Sequence, residues 1–131
     1  MTKKQAIEIY NYWVAGAKDS CDTAKFLFDG GRFMHALFFC HLTIEKMLKA
    51  IVVKKTGEHA PYDHNLAALL TLSGLDFSQE QINSINEINT FNISGRYDTY
   101  KMEFYKKATQ DYSKKYFNEA MELYIWLLSK I

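Results

Sequence analysis

The stretch Phe39-Cys40-His41-Leu42-Thr43-Ile44-Glu45-Lys46-Met47-Leu48-Lys49-Ala50 constrains this chain more than any other. Read as a helix, it is apolar almost all round, yet it carries one acid and two lysines at fixed spacing. A helix of that kind is enclosed on most of its circumference and belongs inside a bundle. Glu45, Lys46 and Lys49 must then find partners or reach a solvent-filled groove, because an unpaired buried charge is very costly. The same residues are therefore the first place to look for a site.

Punctuation along the rest of the chain predicts an all-α fold. Proline occurs once, at Pro61, and most of the six glycines fall between long helical patterns. Ile7, Tyr10, Val14, Ala17, Cys21, Ala24 and Phe28 form one apolar stripe, which Gly30-Gly31 ends, giving a first helix over about residues 4–29. A second, central helix runs over about 32–55, with Phe33, Leu37, Cys40, Ile44, Met47 and Ile51 on one stripe. Leu66, Leu69, Leu70 and Leu72 before Gly74 make a short third helix. Ser78 and Gln81 form a capping box that starts a fourth, with Phe77 and Ile82 placed as a hydrophobic staple. Along it Ile82-Asn83, Ile85-Asn86, Ile88-Asn89 and Phe91-Asn92 set an apolar ridge beside an asparagine ridge, a solvated face or, less commonly, a ligand-reading row. Asn92 to Ala108 shows no period and reads as a long loop, functional or mobile. The last helix starts at Thr109 as N-cap, with Asp111 in its first turn, and runs through Tyr112, Tyr116, Ala120, Leu123 and Leu127.

A length of 131 residues fits one domain, 1–131, with core enough to fold without staples. Sixteen Lys and Arg against fifteen Asp and Glu leave a net charge of +1, so nothing global points to DNA or an anionic membrane. The start of the chain has no apolar leader and no later run approaches a spanning length, so the expected location is the cytoplasm. Cys21 and Cys40 sit at apolar helical positions and read as reduced core thiols. No metal is expected: di-metal helical bundles use paired Glu-x-x-His motifs, and no Glu here is followed by His three residues later. No cofactor motif is present either, neither a Gly-rich phosphate loop nor a nucleophile elbow.

Three groups of residues carry candidate chemistry. His41 and Glu45, four apart, share a helix face; the pair is an acid/base couple, half of a metal site or, most commonly, a polar contact across a bundle. His59 and His64, at a loop and a helix start, read as local hydrogen-bonding residues. Lys46 and Lys49, with Lys54 and Lys55 beyond, form a basic flank that faces phosphate or is simply the helix's solvated strip. Arg96, between Gly95 and Tyr97 and near Tyr100, is suited to clamp a phosphate while the tyrosines stack a base; the plainer alternative is a loop arginine paired with Asp98.

The segment Gly30-Gly31-Arg32, the Glu45-Lys46-x-Leu48-Lys49-Ala50 signature, Pro61-x-x-His64-Asn65-Leu66 and Ser94-Gly95-Arg96-Tyr97 together resemble the HEPN domain family, the higher eukaryotes and prokaryotes nucleotide-binding domain. The resemblance implies an up-and-down bundle of four to five helices that pairs as a symmetric homodimer. Ribonucleolytic members carry an Arg and a His separated by four to six residues. Here those positions hold Lys101, Met102 and Glu103, and no histidine follows His64. The chain therefore resembles the non-catalytic branch, which implies a module binding a nucleotide, RNA or a minimal nucleotidyltransferase partner. The alternative is a metal-independent endoribonuclease toxin of a toxin–antitoxin pair. Expected binding residues are Arg96, Tyr97, Tyr100, Lys46, Lys49, Glu45 and His41, with no catalytic residue among them.

Overall fold

The computed structural model describes residues 1–92 and 98–131, which form six helices and no strand. Helix α1 (Lys3–Asp29) begins at a capping box: the Thr2 hydroxyl accepts from the Gln5 N–H and the Gln5 side chain accepts from the Thr2 N–H. It buries Ala17, Ser20, Cys21 and Ala24, a face of small side chains that lets it lie along α2 (Phe33–Thr56). The expected apolar stripe of α1 is buried only in this middle part, since Ile7 at its start is exposed.

Helix α2 buries fourteen of its 24 residues, His41, Glu45 and Lys49 included. It packs against α1, α3 (Leu66–Ser73), α4 (Gln79–Asn89) and α6 (Gln110–Leu128), which makes it the axis of the domain, as its apolar circumference requires. Gly57 closes it with φ 71°, a conformation natural to glycine, while Lys54 and Lys55 in the last turn complement the helix dipole. Both cysteines are buried free thiols.

The predicted caps of α4 and α6 are present. Ser78 and Gln81 exchange side-chain bonds at the start of α4, and the Thr109 hydroxyl accepts from the Tyr112 N–H at the start of α6. Phe77 packs its ring on Trp126 of α6, 5.2 Å between centroids.

The segment read as a loop from Asn92 to Ala108 is corrected by helix α5 (Asp98–Lys107), so the described residues form six helices where four or five were expected. Its period is invisible because one residue carries its burial: Phe104 sits in the core, stacked 5.5 Å from Phe91, while Met102 and Tyr105 stay exposed. Phe91 is fully buried and also meets the rings of Tyr112 and Tyr116. A polar tie backs this aromatic one, because the Glu87 carboxylate of α4 accepts from Lys107 at 2.7 Å and from the Tyr112 hydroxyl at 2.5 Å.

Candidate functional site

Glu45 is 3% exposed, and its two oxygens are taken by different elements. One turn along α2, the Lys49 ammonium lies 3.4 Å from Oε2. From the loop before α3, His64 brings its Nδ1 to 3.0 Å from Oε1. The loop's placement follows from its own chemistry: the Asp63 carboxylate accepts from the Asn65 N–H at 2.8 Å, and Asn65 then caps α3 by accepting from the Ala67 N–H at 3.0 Å. A second tie runs from His41, whose Nε2–H donates to the His64 carbonyl at 3.1 Å.

The remaining nitrogen of His41 has no hydrogen-bond partner and faces Glu45 Oε1 from 4.0 Å. Burial, only partly opposed by Glu45 and the His64 carbonyl, pushes the His41 pKa down to about 4. At neutral pH the ring is uncharged, so His41 and Glu45 share a face without forming an ion pair. The polar-contact reading of the pair is the one the geometry supports.

Of the basic flank expected of α2, Lys54 and Lys55 are exposed, whereas Lys46 and Lys49 are engaged by the bundle itself. Lys49 is 4% exposed, its ammonium held by Glu45 and set 4.9 Å from the Trp13 ring of α1, so it is neither a surface phosphate contact nor part of a solvated strip. Lys46, one turn earlier on α2, also meets α1, where it donates to the Ser20 hydroxyl at 2.7 Å. Gly16 makes this possible, since a Cβ there would stand 3.3 Å from the Lys46 side chain.

Above Glu45 and Lys49 opens a groove of about 310 Å³ lined by Tyr62, Asp63, His64, Asn65, Asn89 and Asn92. Tyr62 is 96% exposed, with its ring 6.0 Å from that of His64 and 5.9 Å from the Lys49 ammonium beneath. Asn89 joins the groove's two walls: its Oδ1 accepts from the Leu66 N–H at 2.9 Å and its Nδ2 donates to Asn65 Oδ1 at 3.3 Å. The asparagine ridge is therefore a solvated face at Asn83 and Asn86 but a structural and groove-lining one at Asn89 and Asn92.

Of the expected site residues, the structure brings together His41, Glu45 and Lys49, and it sets Lys46 apart. Tyr100 lies half-exposed on α5, away from the groove's described lining. Arg96 and Tyr97, with Ser94 and Gly95, lie outside the described residues. Sequence reasoning missed Tyr62, read Asn89 and Asn92 first as part of a solvated ridge with a ligand-reading row as the lesser alternative, and gave His64 a merely local role. The available signals were Pro61 placing an exposed turn and the three-residue spacing of Asn89 and Asn92. Among the described residues no cluster of His, Cys, Asp and Glu is placed to hold a metal ion, and no helix is long and apolar enough to cross a membrane.

A helical bundle whose central helix carries a buried Glu-Lys pair beneath a loop histidine is the class of structure seen here. Residues 10–131 match the HEPN domain, and the chain belongs to that family. Its fold is similar to that of TT1696 from Thermus thermophilus, seen in a crystal structure: 15% of residues are identical, 93% of this chain and 98% of that one are covered, and the TM-score is 0.77. No curated protein matches the sequence significantly.

Proposed function

We propose that this HEPN chain is a binding module for a nucleotide or an RNA strand, engaged at the groove beneath the Pro61–Asn65 loop and without covalent chemistry of its own. One observation carries the reading: an exposed aromatic, Tyr62, stands beside amide side chains that are only partly used by the protein itself. Stacking on an aromatic ring with amides at a base edge is how proteins hold unpaired bases, and each stacked base contributes about 1–3 kcal/mol. Arg96 supplies a phosphate contact in this reading, as the family resemblance implies. Fluorescence anisotropy with a labelled single-stranded RNA tests it. Saturable binding, weakened at least tenfold by Tyr62→Ala and by Arg96→Ala with the melting temperature unchanged, is the expected result. RNA that fails to bind overturns the reading.

The second reading, metal-independent RNA cleavage, has one observation in its favour. A buried carboxylate on His64 Nδ1 is the arrangement that orients a general base. Incubation with structured and single-stranded RNA in chelator decides between the two, and intact RNA is the expected outcome. Cleavage abolished by both His64→Ala and Arg96→Ala promotes the enzyme reading. Pairing with a second copy of the chain, and docking to a minimal nucleotidyltransferase, belong to the same proposal; the exposed Tyr12 and Phe26 of α1 and Met102 and Tyr105 of α5 are the surfaces available for them.

A further inference from the structure

The hydrogen-bonding face of the groove is unequal. Asn65 Oδ1 already accepts from the Ala67 N–H and from Asn89, which fixes the amide and leaves both Asn65 N–H groups for a ligand. Asn89 is fixed in the same way, its oxygen on the Leu66 N–H and one N–H on Asn65, so its second N–H remains. Neither amide can turn over without giving up two bonds. His64 presents the opposite character. Its Nδ1 carries the hydrogen facing the Glu45 carboxylate, so Nε2, bonded by no described residue, is an acceptor in the neutral ring. Asn92 is bonded to no described residue; its amide is free to turn and serves any ligand. No described lysine or arginine lines the groove, whereas the Asp63 carboxylate does, so its described walls suit a neutral heterocycle better than a phosphate.

We infer that the groove takes the base of a nucleotide and selects the keto bases, uracil and guanine, over the amino bases, cytosine and adenine. This rests on the nucleotide-binding reading and adds the base class to it. A uracil edge offers carbonyl oxygens on either side of an imide N–H, and a guanine edge offers O6 beside N1–H. The carbonyls meet the fixed Asn65 and Asn89 N–H groups, and the ring N–H meets His64 Nε2. Cytosine and adenine carry an exocyclic amine where the keto bases carry a carbonyl, which would set N–H against N–H and leave the Asn65 and Asn89 donors without an acceptor. A site built to bond one polar group rejects the analogue lacking it far more strongly than a merely apolar pocket would. Stacking on Tyr62 adds affinity for every base without choosing among them.

The test compares near-isosteric pairs: pentamers of uridine against cytidine, and of inosine against adenosine, titrated into the whole protein at one salt concentration. At least fivefold tighter binding of uridine over cytidine and of inosine over adenosine is expected. Asn65→Asp keeps the side-chain oxygen that caps α3 but replaces both outward N–H groups with an acceptor. It should leave the melting temperature within a few degrees and bring both ratios to one or below. Equal affinities within each pair, or ratios that Asn65→Asp does not move, overturn the selectivity while leaving the binding reading intact. If none of the four pentamers binds, both fail together.

Discussion

Glu45 is reached from α2 by Lys49, from the following loop by His64 and, without a hydrogen bond, by His41. Removing one partner of a buried pair leaves the other charge uncompensated, at a cost of about 3–5 kcal/mol. Lys49→Met is therefore expected to lower stability by about that much in urea denaturation at pH 7, and Glu45→Gln added to it should recover part of the loss. His41 adds a pH dependence. The folded protein holds it neutral down to about 4, whereas an unfolded chain protonates it near 6.5, so the unfolded state takes up the proton first as pH falls. Its contribution is complete above about pH 6.5 and is lost progressively between there and about pH 4, on the order of 3 kcal/mol in all. Urea midpoints at pH 7.5 and 5 should diverge in the wild type and diverge less in His41→Gln. At this scale the sequence makes plain that Glu45 and Lys49 need partners, because their neighbours are apolar. It does not show that His64 is one, because the loop that delivers His64 is positioned by the Asp63 and Asn65 bonds and by Asn89, a residue far along the chain.

Helices with strong local signals were legible to within a residue or so. The Ser78–Gln81 box and the Thr109 cap act through bonds spanning three residues, and the Gly57 and Gly74 stops act through their own backbone. Helix α5 has no such signal in its described residues. It is held by Phe104 in the core and by Lys107 on Glu87, contacts made with α4 and the residues after it, so no periodicity announces it. Glu87 joins three helices; burial alone would raise its pKa, but the bonds from Lys107 and Tyr112 hold it below the usual carboxylate range. Glu87→Ala should cost about 1–3 kcal/mol, since it strands the Tyr112 hydroxyl in a half-buried position. Hydrogen exchange is the measurement that checks it: amides of residues 98–107 should lose protection while those of α2 keep it. Uniform loss across the chain would show instead that α5 is not an independent unit. Gly74 at φ 68° gives a smaller effect of the same kind, because a Cβ there would also fall on the Lys55 ammonium. Gly74→Ala should destabilise by about 1 kcal/mol or more.

For the whole molecule, the family and the all-helical class followed from apolar patterning and from short motifs in the right order, all of which are local in sequence. The groove did not, since its walls come from the loop before α3 and from the end of α4, and only folding joins them through Asn65 and Asn89. The lysines that sequence reasoning placed on a ligand face are spent inside the bundle, one on Glu45 and one on Ser20. In the proposed function this leaves recognition to aromatic and amide groups among the described residues. Exposed apolar side chains on α1 and α5 predict a homodimer, which light scattering at micromolar concentration should register as twice the 15.3 kDa chain mass; a monomeric mass contradicts it. The central claim is that the groove is where a nucleotide strand binds, and amide chemical-shift mapping during titration with a uridine pentamer tests it most directly. The largest shifts are expected at residues 62–65, 89 and 92, with α1 and the middle of α6 unmoved. Shifts that leave the groove untouched and gather elsewhere would contradict it.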